Sequence, residues 1–198
     1  MELYAFDILP VHPVPQPLES YTSYLTRLAE GNGLTRYTDL TARLFPGLSS
    51  LQVRDLTDYT PTSFGYVAEN TMCSEGHLRA TTFFHLARKF GRMPQARSLS
   101  LLMAQALAPH LRYCPQCIAE RGCYLLPWRL RMVDGCPQHG CTLLDGCPAC
   151  GSTIRLLVAP FRVGICPHCQ FDLRLGHASQ LSETQWQCVQ QRWQDIEF

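Results

Sequence analysis

Apolar residues recur with helical spacing through the first half of the chain and lose that spacing in the second. Residues 1–17 carry no period. Pro10, Pro13, Pro15 and Pro17 predict an extended arm there. From Leu18 to Asn32, the residues Leu18, Tyr21, Leu25, Leu28 and Ala29 fall on one face, which predicts an amphipathic helix. Gly31-Asn32-Gly33 stops it with residues that tolerate positive φ. A short helix is predicted at Tyr37–Leu44, ended by Phe45-Pro46-Gly47, and a third at Leu51–Thr57 behind the capping residues Ser49 and Ser50. Three short helices joined by tight glycine-containing turns predict a helix-turn-helix-like unit. Two longer helices are predicted at Arg79–Phe90 and Arg97–Ala108, with apolar faces built on Phe83, Leu86, Phe90 and on Leu99, Leu102, Met103.

Beyond residue 113 the pattern changes to Cys-Pro turns separated by short apolar runs. Leu125–Met132, which alternates around Trp128, and Ile154–Val163, broken by Pro160, are predicted as strands of small hairpins. Ser182–Glu197 predicts a terminal helix with Trp186, Val189 and Trp193 on one face and a Gln-rich opposite side; that apolar stripe suits packing onto the preceding module. The expected fold is therefore mainly α with small metal-stabilised β-hairpin modules. Its expected parts are an N-terminal arm and helical domain over 1–112, a tandem finger domain over 113–178, and a C-terminal helix over 179–198.

Cysteine placement supplies the chemistry. Only one of the 11 cysteines, Cys73, precedes Cys114. Four two-ligand knuckles follow in order: Cys114/Cys117, Cys136/His139, Cys147/Cys150 and Cys166/Cys169, each with proline after its first cysteine. Two donors two residues apart fit one tight turn, and a second such turn completes the tetrahedron that zinc requires. Sequential pairing gives one site from Cys114, Cys117, Cys136 and His139 and another from Cys147, Cys150, Cys166 and Cys169. A cross-braced pairing of the same eight donors is the alternative. Cys73, Cys123, Cys141 and Cys188 are left over. Cys123 and Cys141 flank the first site and could compete as ligands, or serve as small buried apolar groups.

Charge narrows the function. The chain carries 17 cationic and 16 anionic residues, and Lys89 is the only lysine. Zinc-bound thiolates turn the formal +1 into −2. A strongly basic, sequence-blind nucleic-acid clamp is excluded. Protein contacts, or a few placed arginines among Arg121, Arg129, Arg131, Arg155 and Arg162, fit better. Both expected zinc sites are filled by protein donors, whereas a catalytic zinc keeps a position for water. The sequence holds no phosphate-binding G-x-x-x-x-G-K-[ST] loop, no G-x-S-x-G elbow and no His-x-Glu deaminase pattern. The start lacks the basic region of a signal peptide, and no apolar run approaches membrane-spanning length, so a reducing cytoplasmic setting is expected.

The segment Pro15-Gln-Pro-Leu-Glu-Ser-Tyr-Thr-Ser-Tyr-Leu-Thr-Arg-Leu-Ala-Glu-Gly-Asn-Gly33 resembles the opening of the TniQ family. So does the order Tyr113-Cys-Pro-Gln-Cys117, Trp128, Cys136-Pro-Gln-His-Gly140, Leu143-Leu144 and Cys147-Pro-Ala-Cys-Gly151. The resemblance runs over roughly residues 10–175; Tyr24, where tryptophan is common, and the extra Cys123 and Cys141 depart from it. It implies a non-catalytic targeting adaptor of Tn7-like transposons, connecting a target-recognition device to a TnsC-like AAA+ ATPase. The chain resembles the short type found in CRISPR-associated transposons. The implied partners are then a Cas effector complex with guide RNA, the ATPase, and target DNA near the complex. Apart from the resemblance, a homodimer through the N-terminal helices is expected. A sequence-specific DNA-binding regulator acting through its helix-turn-helix is the rival reading.

Overall fold

The computed structural model describes residues 8–54, 58, 64–83 and 106–196. They are mainly helical, with one two-stranded antiparallel sheet. The helices are α1 (Tyr21–Gly31), α2 (Tyr37–Leu44), α3 (Ser50–Arg54), α4 (Gly65–Thr71), α5 (Glu75–Ala80), α6 (Pro115–Arg121) and α7 (Glu183–Ile196). The sheet pairs β1 (Gly135–Cys136) with β2 (Cys141–Thr142), placing Cys136 opposite Cys141.

Helix α1 starts three residues later than the periodicity predicts. Leu18 takes φ 64 and Glu19 bridges to Leu125, so the chain is extended until Ser20 caps the helix by accepting from Ser23 N. At the far end Asn32 caps the last turn and ties down the arm. Its side-chain amide donates to the carbonyls of Leu28 and Val11 at 2.8 and 2.6 Å, while Val11 N donates back to its Oδ1.

The apolar side of α1 carries Tyr21, Tyr24, Leu25, Leu28 and Ala29 into a core with Leu40, Leu44, Val53, Val67 and Leu78, closed by Leu157 and Phe161 from the Cys-rich half. A second core surrounds Trp128, Tyr113 and Tyr124 and gathers most of the metal-region cysteines.

The other side of α1 is polar and is buried as far as Thr26. Glu19, fully buried, receives a two-pronged ion pair from Arg27 at 2.7 and 3.1 Å, and Arg27 also donates to the carbonyl of Val14 in the arm. Ser23 Oγ accepts from Tyr124 N at 2.9 Å, Thr26 Oγ1 from Leu157 N at 3.1 Å, and Glu30 Oε2 from Val163 N at 3.0 Å. Thr22 donates through both its backbone and its hydroxyl to the buried Asp58. Helical spacing thus places one polar stripe, Glu19, Ser23, Thr26 and Glu30, against the loops of the second half.

Two expected strands are corrected. Leu125–Met132 is not a strand. Proline at 127 lacks the amide a ladder needs and favours a tight turn, so Leu126–Arg129 curls into a 3₁₀ turn that buries Trp128, and only its flanks bridge, Leu125 to Glu19 and Leu130 to Leu107. Ile154–Val163 is not a strand either. Leu157 sits at φ 55, and the amides of Leu157 and Val163 go to α1 side chains instead of a neighbouring strand. Of the helix expected at Arg79–Phe90, Arg79 and Ala80 end α5, which begins at Glu75 behind the cap Ser74, residues 81–83 form a turn, and 84–90 lie outside the described residues. The helix expected at Arg97–Ala108 falls mostly on residues 97–105, also outside them, and Leu107 is bridged to Leu130. Of the helix expected at Leu51–Thr57, Ser50–Arg54 is seen and 55–57 are not described. Among the described residues no helix is long and apolar enough to cross a membrane.

Thr26→Val keeps the volume of α1's inner face and removes the acceptor for the buried Leu157 amide. The expected cost is about 1–3 kcal/mol, read as a lower urea midpoint at unchanged m-value.

Candidate metal centres

The first cluster is assembled by a helix start and a hairpin. Cys114 caps α6 and Cys117 lies in its first turn, with Pro115 as the first helical residue. Cys136 ends β1, and the turn that follows closes by Gly140 N donating to Cys136 O at 3.0 Å, with Gly140 at φ 58. His139 Nδ1 then lies 3.4, 3.3 and 3.5 Å from the sulfurs of Cys114, Cys117 and Cys136, and the Cys117 and Cys136 sulfurs are 3.5 Å apart. Zinc–sulfur bonds of about 2.3 Å in a tetrahedron put sulfurs about 3.8 Å apart, so the four donors need only open slightly to surround the ion.

The second cluster repeats the turn twice. Gly151 N donates to Cys147 O at 2.8 Å and Gln170 N to Cys166 O at 3.0 Å, with Gly151 at φ 71 and Gln170 at φ 62. The Cys147–Cys169 and Cys150–Cys166 sulfur pairs stand 3.6 and 3.8 Å apart. Cys147 and Cys166 are buried, while Cys150 and Cys169 are exposed. All donor atoms of each cluster lie within 4.8 Å of one another. The donors therefore group in chain order, the first two knuckles together and the last two together, and not as a cross-brace.

The donors' electrostatics suit a cation. In the first cluster hydrogen bonds from neighbouring thiols hold Cys136 far below its usual range, and one from Cys117 lowers Cys114 to about 7. Cys117, which donates to Cys114 and Cys136, is pushed far up. A central divalent ion lets all three ionise, because it takes the place of the shared protons. Burial opposes a charge on His139, but hydrogen bonds to Glu120 and Cys136 prevail and raise it to about 9. Its Nε2 faces Glu120 Oε1 at 2.9 Å. A carboxylate on the outer nitrogen fixes the ring so that Nδ1 offers its lone pair inward. The two clusters, three cysteines with a histidine and four cysteines, could thus each bind a zinc ion in a structural role.

Helix α7 braces the first hairpin. Trp186 Nε1 donates to Pro137 O at 2.8 Å and Trp193 Nε1 to Gly135 O at 3.2 Å. A Cβ on Gly135 would stand 2.7 Å from Val189, so glycine allows this close approach.

A match to the TniQ family model extends over residues 10–143, about two-thirds of the chain. The chain belongs to the TniQ family. Comparison with curated proteins finds no match. TniQ proteins are transposition-associated and, in general, non-catalytic adaptors. The matched span contains the arm, α1 and the whole first cluster; Cys147, Cys150, Cys166 and Cys169 lie outside it.

The five arginines proposed for partner contact separate into two groups. Arg121 donates to Gln138, Arg129 pairs with the buried Asp58 at 3.5 Å, and Arg131 donates to the carbonyl of Leu107. Arg155 and Arg162 are exposed on the loop that joins the two knuckles of the second cluster. Glu120 escaped the sequence reading, because a lone glutamate three residues after Cys117 looks like ordinary helix surface. Cys123 is fully buried beside α1, and burial pushes its thiol up to about 12, as for an apolar core group.

Metal analysis of the purified chain should give two zinc ions per molecule. Cys169→Ser should lower the count by one, and Cys123→Ser should leave it at two.

Proposed function

We propose that this TniQ protein is the targeting adaptor of a Tn7-like transposon, linking a CRISPR RNA-guided effector at the target site to a TnsC-like AAA+ ATPase. The observation that carries the reading is the family's arm and α1 joined to two clusters whose tetrahedra are filled by protein donors. Zinc held by Cys114, Cys117, Cys136 and His139, and by Cys147, Cys150, Cys166 and Cys169, leaves no coordination position for an activated water. The metal then shapes loops and does no chemistry, and the protein works through its surfaces.

In this reading the helical part, 1–112, and the finger part with its closing helix, 113–178 and 179–198, present separate faces to effector and ATPase in the bacterial cytoplasm. Two copies pair through the N-terminal helices. Arg155 and Arg162, exposed beside the second cluster, suit contacts to the phosphates of guide RNA or target DNA. The rival is a regulator that reads DNA directly through α2 and α3.

Insertion at the guide-specified site, counted in cells lacking this protein, should fall to background and return on re-expression. Undiminished guide-dependent insertion would refute the adaptor role. Tight specific binding of the isolated chain to target-end DNA, with Kd near ~10⁻⁸ M at physiological salt, would support the regulator instead.

A further inference from the structure

The first cluster holds one donor too many. Cys141 sits in β2 directly opposite Cys136 in β1, and paired residues of an antiparallel ladder send their side chains to the same face. The hairpin therefore delivers both thiols to the same place. Cys141 Sγ lies 3.7 Å from Cys114 Sγ, the spacing expected of two thiolates on one zinc. It is 1% exposed, as buried as Cys117 and Cys136.

His139 is the open corner of the same shell. Its side chain is 12% exposed, and its outer nitrogen is held by Glu120, a side chain 51% exposed at the surface. Besides the backbone bonds from Gly140 N to Cys136 O and from Leu181 N to Gly140 O, the turn that carries it is held by side chains that touch none of the thiols: Gln138 to Glu120 and Arg121, and Trp186 to Pro137 O. A histidine at the rim and a spare buried thiol define two closed shells around one ion.

We propose that Cys141 is a reserve ligand of the first zinc, which completes a four-thiolate shell when His139 leaves the metal. In the exchange the bond from zinc to His139 Nδ1 breaks and a bond from zinc to Cys141 Sγ forms. The thiol proton of Cys141 passes to the released imidazole, so the charge of the cluster and its histidine together is unchanged. Glu120 is a positioning residue, favouring the histidine-bound form by holding the ring. The ion stays enclosed in both forms, while the 137–140 turn against which α7 packs is fixed in one and free in the other. The inference rests on the ligand set given above and is independent of the adaptor role.

Zinc content and zinc K-edge X-ray absorption, which separates bonds to sulfur from shorter ones to nitrogen, test this on the full-length chain. Wild type and Cys141→Ser should both show two zinc ions with seven sulfurs and one nitrogen in total. His139→Ala should keep two zinc ions and show eight sulfurs. The double variant His139→Ala/Cys141→Ser should fall to one. Equal zinc content in His139→Ala and the double variant overturns the proposal. So does a seventh-sulfur limit in His139→Ala, with a light atom in the fourth position. Loss of zinc from Cys141→Ser alone overturns it too, by making Cys141 a primary ligand. A wild-type count other than seven and one refutes the ligand set before any variant is read.

Discussion

Ser23, Thr26 and Glu30 follow one another up α1 at a spacing of three and four residues, and each accepts a backbone amide from the loops of the Cys-rich half: Tyr124 from one, Leu157 and Val163 from another. Those loops own no ladder that could satisfy the amides, and an unpaired buried amide costs about as much as a lost hydrogen bond. Folding of the second half therefore depends on a helix of the first. The dependence is mutual, since Leu157 and Phe161 close the apolar core on the opposite side of α1. One helix is shared by two cores, its apolar face in one and its polar stripe docked on the edge of the other.

Side-chain acceptors work only if the amides arrive in place. Between residues 113 and 181 the chain has one seven-residue helix, two 3₁₀ turns and two strands of two residues each, too little regular structure to fix loops by itself. The metal clusters replace it. Each knuckle is a four-residue turn, and bringing two turns to one ion fixes the segment between them. The first cluster brackets the stretch with Tyr124 and Trp128; the second brackets the stretch with Leu157 and Val163. A scaffold of this kind keeps rigid surfaces with little core, which suits a non-catalytic adaptor.

The parts legible in the sequence were those where one residue type admits one geometry. The Cys-Pro knuckles, their order, α2, the span of α7 and the apolar face of α1 could all be read, because thiol spacing and helical period are local. The polar stripe of α1 was not read, since Ser23, Thr26 and Glu30 look like solvent-facing residues until a partner loop is placed on them. The two strands failed for a related reason: alternation around Trp128 and Leu157 reports burial, and here burial comes from turns packed in a core rather than a sheet. Gln170 does in the last knuckle what glycine does in two others, adopting a left-handed turn that its side chain gives no sign of. Glu120 acquires meaning only from its distance of 2.9 Å to His139, and the 3.7 Å from Cys141 to Cys114 separates it from Cys123, which the sequence could not tell apart from it.

The central claim is that metal-fixed loops and the polar stripe of α1 hold the two halves together as one unit. Native-state hydrogen exchange on the full-length chain, with zinc bound and after chelation, measures this at the three amides concerned. Protection of Tyr124, Leu157 and Val163 should collapse together when zinc is removed. Protection that survives chelation at all three would show that the loops hold their places without metal, and would contradict the account.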